Sequence, residues 1–333
     1  LHEGDAAPKL YVSKWVQGEP VKEFKPGTVY IVEFWATWWT PCKEAISHVN
    51  RLHNKFKDKG VVVIGQNAKQ GKVEKVEPFI KQVGSLMTYR VALDDFTGVT
   101  NKFFGKMVET WLTPAEEGIP IAFVIDKQGK IAFIGHPDDV NETIIDQLLA
   151  GTFDTKKRAL EKEAFPTKAE AWDTHNELGK AAWKAKQWGK AMSEVDELEK
   201  IFPQRRIATQ CLRMTVFIGK EDFDAASKLA LRLSNDNPDD PFLQHRVAKT
   251  IANRSPTNTV ILEKANLLMD RANALLKGPE PEFLHTQARL AFLQGKKEKA
   301  IQLETEAMGL ADSEAKVQFA LALEGFKQGK LPQ

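Results

Sequence analysis

The sequence is poor in cysteine. Two occur in 333 residues, Cys42 and Cys211, too few for a disulfide framework and uninformative about the redox compartment. Long apolar runs are missing too: the longest, residues 29–39, contains Glu33 and is too short to span a bilayer. Neither charge sign is in excess. Lys and Arg total 47 against 45 Asp and Glu, for a net charge of +2, so no strong field draws the chain to nucleic acid or to a membrane surface. No signal peptide is present and Leu1 is not a methionine; the expectation is a processed start on an exported protein, periplasmic or secreted, whose leader has been removed. The remaining composition, 42% hydrophobic and 28% charged, is that of a globular protein. The length is more than one compact core usually holds and suggests two domains.

Composition changes near residue 150. Before it, short β-rich runs alternate with helical patterns; after it Ala, Leu, Lys and Glu dominate and strand signals vanish. The expected domains are 1–151, α/β, and 152–333, all α. In the first, residues 9–15 and 21–24 read as a small N-terminal hairpin around Gly18-Glu19. Residues 29–35 form a continuous β-branched and aromatic run, the mark of a buried strand. Pro41 suits the first turn of a helix, where its missing N–H is no loss. That helix carries Ile46, Val49, Leu52 and Phe56 at three- and four-residue spacing, one apolar face, and Gly60 ends it. Residues 61–65 and 89–93 read as strands, 72–83 as a polar helix, 98–104 as a short helix and 107–118 as a loop insertion. Two more strands, 121–126 and 130–135, flank the turn Lys127-Gln128-Gly129, and 140–149 is a closing helix. This order gives a mixed sheet covered by helices.

The second part is nearly all helix, with breaks at Phe202-Pro203, 235–241, Ser255-Pro256 and 278–281. Gln187-Trp188-Gly189-Lys190-Ala191 recurs as Glu221-Asp222-Phe223-Asp224-Ala225 and again as Lys296-Lys297-Glu298-Lys299-Ala300, at steps of 34 and 75 residues. Each copy sits between two helical stretches. The pattern resembles a degenerate tetratricopeptide array over roughly 170–330; an irregular α-helical domain is the alternative.

Four motifs occur in order along the first domain. They are Gly4-Asp5-Ala6-Ala7-Pro8, Val32-Glu33-Phe34-Trp35-Ala36-Thr37-Trp38, Pro41-Cys42-Lys43-Glu44 and Gly118-Ile119-Pro120. Together they resemble the thioredoxin-like redoxins of the TlpA/ResA type over about residues 3–150. The resemblance implies a thioredoxin fold and thiol–disulfide oxidoreductase chemistry on protein thiols, with no cofactor and no metal. That chemistry needs two thiols at a helix N-terminus: an exposed one whose thiolate is favoured by the helix dipole, and a second, one turn on, that resolves the mixed disulfide. By the resemblance the first position is Trp39 and the second is Cys42. The attacking thiol is therefore absent, and the tryptophan should cover the groove where a substrate disulfide would dock. Two histories fit, a natural loss of the nucleophile or a change at one position of an active parent.

The resemblance also makes Glu33 the buried proton relay of the second thiol. A carboxylate inside an apolar strand is costly to bury and its pKa should rise. Pro120 matches the family's cis-proline, which sets the backbone of Ile119 beside the active-site loop, where Trp38, Thr40 and Pro41 complete the rim. Cys42 itself is expected to be packed and inert, and a Cys42–Cys211 disulfide is disfavoured. Asp94-Asp95 reads as a helix cap rather than an acid–base or metal pair. His48 and His53, five apart on the first helix, do not share a face, and His136-Pro137 reads as a turn. Two functions compete. One is a thiol–disulfide oxidoreductase impaired at its nucleophile, with a protein partner on the helical repeats. The other is a non-catalytic module that binds protein through the aromatic rim and the repeats.

Overall fold

The computed structural model describes residues 1–68, 73–101, 104–112, 118–158, 167–254, 257–311 and 313–331. The chain divides into two compact units, Leu1–Pro166 and Thr167–Gln333. The first extends past the shift in composition. Arg158 donates to Glu3 Oε1 at 3.2 Å, and its guanidinium lies 4.0 Å from the centre of the Phe133 ring.

The first unit is built on six strands: β1 (Val12–Gln17), β2 (Val29–Trp35), β3 (Val61–Asn67), β4 (Arg90–Asp94), β5 (Ile121–Ile125) and β6 (Ile131–Gly135). They lie in the order β1-β4-β3-β2-β5-β6. The pairs β2–β3 and β3–β4 are parallel; β1–β4, β2–β5 and β5–β6 are antiparallel. Helices α1 (Thr40–Phe56), α2 (Val76–Val83) and α3 (Lys106–Trp111) fall between strands, and α4 (Glu142–Ala150) follows β6. This mixed sheet with flanking helices is the thioredoxin fold.

The central strand β2 is buried along its whole length, as a β-branched and aromatic run covered on both faces must be. Its residues alternate between the two faces. Tyr30, Val32 and Phe34 enter one core with Phe123, Ile125, Met107 and Trp111, where the Trp111 and Phe123 rings meet edge-on at 5.3 Å. Val29, Ile31, Glu33 and Trp35 point to the other face. Helix α1 starts at Thr40 with Pro41 in its first turn and buries Cys42, Ile46, Val49, Leu52 and Phe56. Gly60, at φ 86°, takes the left-handed conformation that turns the chain into β3.

Three expectations are corrected. Residues 9–15 and 21–24 do not form a hairpin. β1 spans Val12–Gln17 and pairs with β4, while Phe24 leaves the sheet and packs on the rings of Tyr30 and Trp111 at 4.9 and 6.0 Å. The short helix expected at 98–104 lies later, at Lys106–Trp111, overlapping the stretch 107–118 read as a loop insertion. Its first turn is capped from a distance: Asp94 Oδ1 accepts from Met107 N at 2.8 Å. The polar helix is shorter than read, Val76–Val83 after a single 3₁₀ turn. Residues 69–72, 102–103 and 113–117, parts of the expected 72–83 helix, 98–104 helix and 107–118 loop, lie outside the described residues.

The second unit is helical throughout its described residues. It comprises α5 (Thr167–Lys184), α6 (Trp188–Ile201), α7 (Arg206–Gly219), α8 (Phe223–Asp236), α9 (Pro241–Asn253), α10 (Thr259–Leu275), α11 (Pro281–Leu293), α12 (Lys297–Leu310) and α13 (Ser313–Lys327). The three recurring segments fall at the elbows α5/α6, α7/α8 and α11/α12. There Lys186, Glu221 and Gly295 take φ values of 56°, 63° and 76°, a left-handed residue that lets the chain reverse within a few residues. The expected break at Ser255-Pro256 lies outside the described residues.

Candidate active site

Strand β2 ends at Trp35, and Ala36-Thr37-Trp38-Trp39 leads into α1. Trp39 is the residue before the helix, with extended backbone at φ −97° and ψ 112° and no side-chain cap. Its carbonyl accepts from Cys42 N at 3.0 Å and Lys43 N at 3.3 Å, so Cys42 sits one turn into the helix. Trp39 is 40% exposed and its ring lies 5.6 Å from that of half-buried Trp38. Thr40 and Pro41 are half-buried beside them.

Cys42 is fully buried. Burial pushes its thiol well up; a backbone hydrogen bond at Ala36 opposes this and the nearby Glu33 carboxyl adds to it. Both cysteines of the chain are buried and neither is in a disulfide.

Glu33 is also fully buried. In the sheet it lies opposite Gly65 of β3 and Ala122 of β5, the two smallest neighbours available. Their size leaves a space that Tyr89 enters, donating from its hydroxyl to Glu33 Oε2 at 3.3 Å. A Cβ on Gly65 would come within 2.8 Å of the Tyr89 ring and 3.0 Å of Trp35 Nε1, closer than real Cβ contacts. Glu33 Oε1 and Trp35 Nε1 are buried and have no hydrogen-bond partner among the described residues. Desolvation therefore dominates: Glu33 titrates at about 8, with the Tyr89 bond pulling weakly the other way. The Tyr89 hydroxyl is itself pushed up by burial and by Glu33. Glu33, Tyr89 and Cys42 thus form one buried polar cluster beneath α1. Tyr89 and Gly65 have no local sequence signal for this role, since Tyr89 lies 56 residues from its partner.

The Ile119–Pro120 bond is cis. Phe34 lies opposite Ile121 in the antiparallel β2–β5 pair, so Pro120 falls across from Trp35, at the end of the sheet where residues 36–39 leave it. Half-buried Ile119 precedes it.

The remaining candidates make other contacts, and of them His53 borders this cluster. Asp94 caps α3 and accepts from Asp95 N at 2.8 Å; burial raises it to about 6 despite its three backbone donors. Asp95 bonds Lys106 at 2.7 Å. His48 Nε2 bonds the Val140 carbonyl at 2.8 Å, and His53 packs edge-on near Tyr89. His136 accepts from Asp138 N at 3.2 Å in a 3₁₀ turn. Among the described residues no group of His, Cys, Asp and Glu has metal-site geometry, and no helix is long and apolar enough to cross a membrane.

Residues 4–134 match the AhpC/TSA family. Protein FixW of Rhizobium leguminosarum is 28% identical over 207 residues, covering 59% of this chain and 90% of that protein. Thiol-disulfide oxidoreductase ResA of Bacillus thuringiensis is 31% identical over 131 residues, 38% of this chain and 66% of that protein. Thiol:disulfide interchange protein HelX of Rhodobacter capsulatus is 32% identical over 135 residues, 40% of this chain and 67% of that protein. Through its first unit, the chain belongs to the thioredoxin-like redoxins of the TlpA/ResA type.

Proposed function

We propose that this chain is a thiol–disulfide oxidoreductase-family protein in which Trp39 stands at the position of the attacking thiol. Dithiol turnover is accordingly lost or strongly impaired, and the helical repeats hold a protein partner. In the full cycle the first thiolate attacks a protein disulfide, releasing one sulfur as thiolate and forming a mixed disulfide. The second thiol then displaces the first cysteine's partner, so that two electrons pass from the dithiol to the substrate. The observation that carries the reading is the placement of Trp39 immediately before α1, one turn from buried Cys42. An indole has no thiol to attack with. Cys42 keeps the resolving position, Glu33 the relay position, and Trp38, Thr40, Pro41, Ile119 and Pro120 the docking rim. A compartment in which protein disulfides persist, such as the periplasm or the cell exterior, suits this chemistry. The test is dithiothreitol-driven reduction of insulin by the unmodified chain. The expected rate is that of reductant alone; sustained catalytic turnover sinks the reading.

Exposed Trp39, against half-buried Trp38, favours one alternative, a non-catalytic module that binds protein through this rim. Large aromatics at a surface contribute strongly to binding when a partner covers them. Under it, Trp39→Ala weakens partner capture without any redox change, and undiminished capture rejects it.

A further inference from the structure

The second unit carries polar groups for which thiol chemistry has no use. Two adjoining cavities of about 250 and 280 Å³ lie along α5, α7 and the end of α9, with Asn176, Leu212, Thr215 and Arg254 in the walls of both. The first is lined by Trp183 and by an apolar wall of Val195, Leu198 and Val216. The second is bounded by Trp172, Arg246 and Thr250.

The charges around this groove are unequal. Lys180, Lys184, Arg246 and Arg254 line it, against the single carboxylate of Glu194. Glu194 is already engaged, its Oε2 lying 2.7 Å from His175 Nδ1. Arg254 is the one of these cations that lines both chambers. It is exposed, its guanidinium lies 4.7 Å from the centre of the Trp183 ring, and among the described residues no carboxylate bonds it. Trp183 is held in turn, donating from Nε1 to the Thr215 carbonyl at 3.0 Å. A guanidinium laid against a fixed indole loses little freedom when it takes a carboxylate. The side-chain amides of Asn176 and Asn253, also in the walls, make no hydrogen bond among the described residues and suit the amide groups of a peptide backbone.

We propose that this groove binds an extended peptide bearing an acidic residue beside a large apolar one. Arg254 takes the carboxylate, and the chamber lined by Trp183 takes the apolar side chain. The assignment rests on the reading that the second unit holds a protein partner. Charge complementarity selects the acidic residue, and the apolar chamber next to Arg254 selects its neighbour.

The test is selection of a random dodecapeptide phage library on the immobilised full chain and on its Arg254→Gln variant, followed by fluorescence anisotropy with enriched peptides. Arg254 is exposed, so the variant should fold, and its thermal melt by circular dichroism verifies this. The expected consensus pairs Asp or Glu with Phe, Leu or Trp. Affinity should fall roughly tenfold or more in Arg254→Gln and also when the acidic residue is changed to its amide, with Arg254→Lys intermediate. A consensus without an acidic residue, or enrichment and affinity unchanged in Arg254→Gln, overturns the assignment while leaving the unit a peptide binder. Absence of any enrichment overturns both.

Discussion

Replacing Glu33 by glutamine should flatten the dependence of stability on pH between about 4.5 and 8. Burial raises the Glu33 pKa from 4.5 to about 8 in the folded chain. A carboxyl raised by folding holds its proton more tightly in the folded state than in the unfolded one. Its contribution to stability is therefore fully present below 4.5 and is lost as the pH rises through 8. That gap, at ~1.4 kcal/mol per pH unit, amounts to roughly 5 kcal/mol. The amide of Glu33→Gln has nearly the same shape, still accepts from Tyr89 and does not ionise. The variant and the parent should thus be similarly stable near pH 4.5, and the variant should be several kcal/mol more stable by pH 9. Asp94 is also raised by burial, to about 6, but its effect is common to both proteins and cancels in their difference. The assay is urea unfolding followed by tryptophan fluorescence at half-unit steps of pH. Parallel curves for the two proteins would refute a buried, protonated Glu33.

Two further perturbations probe the first unit. Cys42 should react with iodoacetamide on the order of 100-fold more slowly in the native chain than in urea at pH 8, because its thiol is buried and raised; mass spectrometry of quenched samples reads this, and equal rates contradict it. Asp94→Ala removes the acceptor for the amides of Asp95, Met107 and Val108 and should cost about 2–3 kcal/mol. Chemical denaturation checks it, and a loss below about 0.5 kcal/mol would mean that those amides find other partners.

Much of this fold was legible because its decisive signals are local. The run at β2, Pro41 at the start of α1, the apolar spacing from Ile46 to Phe56 and the turn Lys127-Gln128-Gly129 each dictate their element within a few residues. What escaped depends on distant partners. Residues 21–24 have strand-like composition, yet Phe24 is spent on the Tyr30 and Trp111 rings, while β1 finds its partners in β4, from Gln17 with Val91 to Val12 with Asp94, far along the chain. Helix α3 starts where it does because Asp94 caps it across 13 residues. The same division holds in the site. Trp39, Cys42 and Glu33 stand in one contiguous segment and could be singled out directly. Tyr89, and the glycine at 65 that makes room for it, belong to the cluster only because β3 and β4 lie beside β2.

If one side chain separates this site from thiol–disulfide turnover, Trp39→Cys restores the activity. With dithiothreitol as reductant and insulin as substrate, the variant should reduce disulfides well above the parent chain, whose rate should match reductant alone. A new disulfide between residues 39 and 42 should form on oxidation. Turnover by the parent, or a variant that forms that disulfide and still fails to turn over, would show that Trp39 is not what blocks the cycle.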